Sequence, residues 1–461
     1  MSSNTTRSNL TLIGSAIGFV VVLLDVSVVN VALDAFRSRF STNVAGLEWV
    51  VNSYTLIFAA LLLMAGALGD RFGARKIFLA GFILFTLASV ACGLAPTLTA
   101  LIAARIVQGA GAALLVPNSL SIIQQAFPDQ EARSRAVGWW GAAGGIALAA
   151  GPVAGGFLVE HFGWRSIFLI NLPIGLIGLA MTLRFARPSP ANPQRALDML
   201  GTATATIALS ALAMALMDAG HLGWTHPRIV TALLVAIISA AAFFAIEAKK
   251  PAPMLPLSLF KTRAFTIASV SGVLVNFAYY GLIFVFSLFF QWQMNLSPQM
   301  TGLAFLPMTV VLMVMNILAG RLITRLGARR LMILGQSVAA FGYLLLIPAV
   351  WTDAYAALIA PMLIAASGIA LMVPTMTNLT LSSVEASRAG IASGVLNTAR
   401  QIGGMLGVAV CGYLVRDNTP AAFAAGMYLS LVSAAGLLLS GVLLSFLGLS
   451  PKQAPNRISS R

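Results

Sequence analysis

Gly66-Ala-Leu-Gly-Asp70-Arg71-Phe-Gly73-Ala-Arg75-Lys76 returns as Gly320-Arg-Leu-Ile-Thr324-Arg325-Leu-Gly327-Ala-Arg329-Arg330, with six of eleven positions identical at an offset of 254. Each copy lies between two apolar runs. Its glycines permit a tight turn, and its cations favour the cytoplasmic surface of a membrane. A second pair, Gly111-Ala-Ala-Leu-Leu-Val-Pro117 and Gly368-Ile-Ala-Leu-Met-Val-Pro374, agrees at five of seven positions at an offset of 257. Two matches in register indicate duplicated halves. Both copies of the first motif follow even-numbered runs and so face one side. The repeats are therefore parallel, related by an axis along the membrane normal.

The rest of the chain supports this reading. Of 461 residues, 59% are hydrophobic and 9% charged, and the mean hydropathy is +0.92. Soluble proteins lie nearer about 45–50% apolar and about 25% charged, which excludes a water-soluble fold. Intrinsic disorder, which needs low hydrophobicity, is excluded as well. Fourteen apolar runs of bilayer length can be counted. The first seven lie at 10–33, 49–68, 77–94, 99–124, 136–159, 166–183 and 199–217. The second seven lie at 229–246, 264–290, 301–320, 331–350, 354–379, 389–414 and 421–447. The motif offset maps runs 1–6 onto runs 9–14 and leaves runs 7 and 8 as an insertion. The expected fold is an all-α integral membrane protein of 14 transmembrane helices in a 6+2+6 order. Its parts are a six-helix half at 1–187, a two-helix insertion at 188–250, a second six-helix half at 251–449 and a cytoplasmic tail at 450–461.

An even number of spans puts both termini on one side. With that side cytoplasmic, the inside segments collect 21 Lys and Arg residues and the outside loops 5, which sets the orientation. Trp49, Trp164, Trp224, Trp292 and Trp351 then fall at the outer interface, where belt residues sit. The formal charge of +15 is spread singly or in small groups between apolar runs, unlike a phosphate-tracking surface, so no nucleic-acid partner is expected. Cys92 and Cys411 lie inside apolar runs, and the three histidines lack ligand spacing, so neither a disulfide framework nor a metal site is expected. There is no GxxxxGK[ST] loop, and no cofactor is expected. No loop is long enough to form a catalytic domain, and an enzyme is not expected.

Further motifs make the chain resemble the major facilitator superfamily, specifically its fourteen-span drug/proton antiporter branch. The 66–76 loop is similar to the superfamily's signature cytoplasmic loop. Leu101-x-x-x-Arg105-x-x-Gln108-Gly109-x-Gly111 is similar to its membrane-embedded arginine motif, and Gly151-Pro152-x-x-Gly155-Gly156 to the motif associated with exporters. Leu24-Asp25-Val-Ser-Val-Val-Asn30-Val-Ala-Leu33, Trp164-Arg165-x-x-Phe168-x-x-Asn171-x-Pro173 and Asn397-x-x-Arg400-Gln401-x-Gly403-Gly404 resemble the fourteen-span branch. Two departures stand out: Asp34 where the branch usually has proline, and Thr324 where the first loop copy has Asp70. The resemblance implies a proton-driven exporter working by alternating access.

Several side chains follow as site candidates. Asp25 is expected to be the only acidic residue deep within a span, with Arg105 at a similar depth on the fourth, and the two are expected to couple proton movement. Gly66, Asp70, Arg71, Gly73 and Arg75, with Gly320, Arg325, Gly327 and Arg329, are expected to gate. Asp70 is placed to meet a helix N-terminus or an arginine of the opposite half. Gly151, Pro152, Gly155 and Gly156 allow close packing and bending. Polar groups in spans are costly in lipid, which makes Asn30, Asn52, Tyr54, Asn276, Tyr279, Tyr280 and Arg400 substrate-binding candidates. For any single phenylalanine of the run at 264–290, lipid-facing bulk is the favoured reading. The expected partners are protons, small amphipathic substrates and the bilayer, with the chain acting as a monomer in a bacterial cytoplasmic (inner) membrane. The alternative is a dedicated exporter of one metabolite or antibiotic, anionic compounds included, with Arg400 as their partner.

Overall fold

A backbone crossing lipid must satisfy its amides internally, so the apolar runs have little choice but to be helices. The computed structural model describes residues 2–194, 196–250, 253–352, 354–385, 388–417 and 419–449, and the tail expected at 450–461 lies outside them. In chain order the helices of the first half are α1 Ser2–Val28, α2 Leu33–Phe40, α3 Val44–Phe72, α4 Ala74–Leu94, α5 Leu98–Ala126, α6 Gln130–Phe162, α7 Ser166–Leu169 and α8 Asn171–Phe185. The segment expected as an insertion holds α9 Met199–Leu222 and α10 Pro227–Lys249. The second half comprises α11 Arg263–Leu288, α12 Pro298–Leu326, α13 Ala328–Val350, α14 Tyr355–Ser382, α15 Ala389–Leu414 and α16 Pro420–Gly448. No strand occurs among the described residues.

Thirteen of these segments are long and apolar enough to cross a membrane, the first continuing from Thr6 through a 3-10 turn to Phe40. The remaining long helix is α15, 26 residues, whose middle is diluted by Asn397, Thr398, Arg400 and Gln401. The helices overrun the apolar runs because their ends are capped: Asn43 accepts from Gly46 N–H, Thr97 from Ala100, Asp129 from Ala132 and Ser297 from Met300. The run at 166–183 divides into α7 and α8.

The duplicated motifs do the same work twice. Gly73 (φ 95°) and Gly327 (φ 77°) each end one helix and start the next in the left-handed region that favours glycine. A Cβ at Gly111 would stand 2.6 Å from Phe85 N, and one at Gly368 2.2 Å from Ala339 N. Bare glycine thus lets α5 lie on α4 and α14 lie on α13.

The expectation that single phenylalanines of the ninth run face lipid is corrected. Phe277, Phe284, Phe286, Phe289 and Phe290 are all buried, because α11 is enclosed by α14, α15 and α16.

The two halves meet at the end of the bundle opposite the termini, here called the far end. Gln291 Nε2 donates to Val31 O at 3.3 Å and Trp292 Nε1 to Asp34 Oδ1 at 2.8 Å. Glu160 Oε2 accepts from Gln299 N–H at 2.9 Å and from the Ser297 hydroxyl at 2.5 Å. A Cβ at Gly302 would stand 2.2 Å from Pro152 O, so α12 lies directly on α6. Toward the termini the same helix faces part. Gly138, Gly141 and Gly145 share the α6 face of Pro152, Gly320 shares the α12 face of Gly302, and nothing stands within 4 Å of a Cβ at any of the four. On its α6–α12 side the cleft between the halves opens toward the termini, while on the α3–α15 side Leu63 still lies against Gly394.

Candidate proton and substrate site

Five helices of the first half converge on Asp25, fully buried in the last turns of α1. Arg105 of α5 forms an ion pair with Asp25 Oδ2. Gln108 Nε2 donates to Asp25 Oδ1 at 2.8 Å and Asn171 Nδ2, from α8, at 3.1 Å. Ser89 of α4 accepts from both amides, at 3.2 and 3.0 Å, and its hydroxyl donates to Phe168 O at 2.9 Å. Arg105 Nε donates to Val50 O of α3 at 3.1 Å, and Arg105 Nη1 to Gln108 Oε1 at 2.8 Å. Its guanidinium carbon lies 4.3 Å from the centre of the Tyr54 ring, within cation–π range.

Local sequence explains this placement. Arg105 and Gln108 are three residues apart and so share one face of α5. Gly109 brings that face onto α3, since a Cβ there would stand 2.5 Å from Tyr54 O. Gly151 and Gly155 bring α6 against the far end of α1, where a Cβ would stand 1.7 Å from Ser27 Oγ and 3.0 Å from Val28 Cβ. Every hydrogen-bonding neighbour of Asp25 is a donor, so the site takes it as the carboxylate. Gln108, Asn171 and Ser89 were not among the expected site residues. Gln108 and Asn171 lie inside the quoted motifs, one helical turn from Arg105 and just after Phe168.

The other expected residues are dispersed. Asn30 is buried in the 3-10 turn and donates to Val26 O at 3.1 Å. Asn52 bridges the halves, donating to Met405 O of α15 at 3.3 Å. Tyr54 is buried under Arg105, and its hydroxyl has no partner among the described residues. Asn276 donates back to Gly272 O at 2.8 Å. Tyr279 and Tyr280 stack edge to face with centroids 5.0 Å apart. Tyr280 packs on Gly404 and lies within electrostatic reach of Arg400. Arg400 reaches Asn397 Oδ1 only at 3.5 Å, and its Nε has no partner among the described residues.

Arg75 and Arg329 of the loop motifs bond within their own halves. Arg75 Nη2 donates to Leu183 O at 2.7 Å, and Arg329 Nη2 to Phe446 O at 2.9 Å. These are the end carbonyls of α8 and α16, the last helix of each half, where helix dipoles favour a cation. Asp70 O accepts from Asn192 N–H at 2.9 Å, and Arg75 N–H donates to Ser189 Oγ at 3.1 Å, tying the segment after α8 to the motif.

Asp25 is not alone among buried acids. Glu48, beyond the end of the expected run at 49–68, lies within α3, which starts at its cap Asn43, and is 1% exposed. The insertion adds Glu247, buried near the termini end of α10. It also adds Asp198, which caps α9 and pairs with Lys250. Burial works against the Asp198 charge, but contacts with Glu247, Lys250 and the Gly201 N–H outweigh it and hold Asp198 below the ordinary carboxylate pKa. At the far end, Asp218 of α9 accepts from Trp49 Nε1 at 3.1 Å and meets Arg228 at 3.4 Å.

Long apolar helices, a cleft among them and a buried charged cluster define a multi-pass helical transporter. The chain belongs to the Major Facilitator Superfamily, which it matches over residues 15–408. It is 39% identical over 404 residues to the methylenomycin A resistance protein of Streptomyces coelicolor, covering 88% of this chain and 85% of that protein. It is 36% identical over 403 residues to the multidrug resistance protein Stp of Mycobacterium tuberculosis, covering 87% and 75%. Among solved structures it is similar in fold to a D-xylose-proton symporter, with a TM-score of 0.72, 14% identity and coverage of 96% and 98%.

Proposed function

We propose that this protein is a proton-coupled antiporter that exports small amphipathic drugs or toxic compounds by alternating access. The observation that carries the reading is Asp25 held as a carboxylate by Arg105, Gln108 and Asn171 in a state whose cleft opens toward the termini. The Lys/Arg asymmetry supports a cytoplasmic position for that end, in the inner membrane of a bacterium. In this state Asp25 has delivered its proton inward and the cleft can collect substrate. Rocking of the halves exposes the cluster to outside water, where Asp25 takes up a proton and Arg105 is released from its partner. A cationic substrate can compete with the proton for the same carboxylate, which gives antiport directly. The names of the relatives, methylenomycin A resistance and multidrug resistance, support export of toxic compounds.

A second reading, export of one anionic metabolite or antibiotic, is favoured by the unpaired Nε of Arg400 beside Tyr280. Proton-gradient-driven transport in everted vesicles, with a panel of cationic, neutral and anionic dyes and drugs, tests both. Uphill movement of several unrelated compounds is the expected result. Movement of none, or movement that survives collapse of the gradient, overturns proton-coupled export. Transport restricted to one anion, and lost in Arg400→Lys, selects the second reading.

A further inference from the structure

The far-end closure contains an acid that the cycle above does not use. Glu48 lies near the start of α3, 1% exposed, and its Oε2 meets no donor among the described residues. It faces two other helices. On α15, Gly412 presents bare backbone, and a Cβ there would stand 2.1 Å from Glu48 Oε1; the Cys411 thiol is the ionisable neighbour on that helix. On α9, the charged neighbour is Asp218, which carries the same sign and is already engaged with Trp49 and Arg228. Glu48 makes no salt bridge with a Lys, Arg or His side chain among the described residues. A carboxylate charge here would lose its hydration and gain neither counter-charge nor N–H in return. The closed interface accommodates Glu48 only as the neutral acid.

We propose that Glu48 is a second proton-binding site, loaded from the far side of the membrane, whose proton is required for the two halves to close at that end. Parting α3 from α15 wets the carboxyl and lets the proton leave to far-side water; closing returns the proton from that water to the carboxylate. Protons on that side therefore favour closure, and the balance shifts by up to about tenfold per pH unit while Glu48 titrates. Two acids would then serve two steps: Asp25 in one half couples substrate to proton, and Glu48 at the seam makes the far-end closure proton-dependent. The inference rests on alternating access as proposed above but not on the role of Asp25.

Ala409 supplies the reporter. It is fully buried on the α15 face that packs with Leu56 of α3 and Met217 of α9, about one turn from Gly412. In the full chain with Cys92 and Cys411 replaced by alanine, Ala409→Cys is labelled by a membrane-impermeant maleimide from the far side. Rates are divided by those of a cysteine at exposed Thr225, which removes the thiol's own pH dependence. The normalised rate should rise roughly tenfold as far-side pH is raised from about 5.5 to about 8. Glu48→Gln, neutral at every pH, should stay at the low rate throughout, and Glu48→Asp should restore the rise. An unchanged pH dependence in Glu48→Gln, or a flat profile in the parent while it still exports, overturns the proposal. If Glu48→Gln folds poorly, the parent-versus-Glu48→Asp profiles decide, since a shorter acid must shift the midpoint and a bystander must not. A rise that depends on Glu48 in a protein showing no gradient-driven efflux sinks antiport but leaves this site standing.

Discussion

Removing the charge of Asp25 separates its structural role from its coupling role. Asp25→Asn leaves Arg105 buried, with the neutral partners Val50 O and Gln108 Oε1 but no counter-charge. Breaking a buried pair in this way costs about 3–5 kcal/mol. The new amide must also turn its NH2 toward Arg105, Gln108 or Asn171, all of which donate to Asp25. Arg105→Met orphans the carboxylate instead and should cost a similar amount. The double variant carries no unpaired charge, so its loss should fall well below the sum of the singles, giving a coupling energy of about 3 kcal/mol. Stability is measured by denaturant unfolding of the purified protein in detergent, and coupling by substrate accumulation in everted vesicles. One proton exchanged per neutral substrate supports about a tenfold gradient per pH unit, since a pH unit is worth about 1.4 kcal/mol. The parent should approach that ratio, while all three variants, the stable double included, should only equilibrate substrate. Uphill accumulation by Asp25→Asn, or singles whose costs simply add, would refute the reasoning.

Three other outcomes follow. A cysteine at Ala191 should react only from the cytoplasm and one at Thr225 only from outside; reaction of both from one side removes the inserted helix pair from the topology. Gly109→Ala would place its Cβ 2.5 Å from Tyr54 O, and the resulting overpacking should lower stability by about 1–3 kcal/mol and loosen Arg105 from the Tyr54 ring, measured by unfolding and efflux together. The Asp198–Lys250 anchor has a carboxylate whose folded pKa lies below its unfolded value, so its stabilising effect is full above the ordinary aspartate value and fades as pH falls through the lowered one. Asp198→Asn should therefore reduce stability near neutral pH and leave little difference from the parent in strong acid; an equal deficit at all pH values would contradict this.

Bilayer length and apolar runs were enough to give the helical membrane class, because they leave the backbone only one way to satisfy its amides. The sequence also brought Asp25 and Arg105 into view, since a charge in lipid demands a reason. Gly73 and Gly327 of the loop motif were readable too, as their left-handed turns are a local property of the backbone. The tertiary structure decided which side chains share a site. Gln108, Asn171 and Ser89 look like ordinary polar residues in the sequence, and they become partners of Asp25 only when α4, α5 and α8 close around α1. Asn52 and Tyr54, alike in sequence as cavity candidates, were sorted into an inter-half tie and a cation–π partner by which face of α3 each occupies. Glu48 was hidden for a further reason. Its position at a span end reads as an interface residue, and only the approach of Gly412 and α9 takes it out of water. Burial at a helix end is set by what packs there, and that is long-range information no local pattern carries.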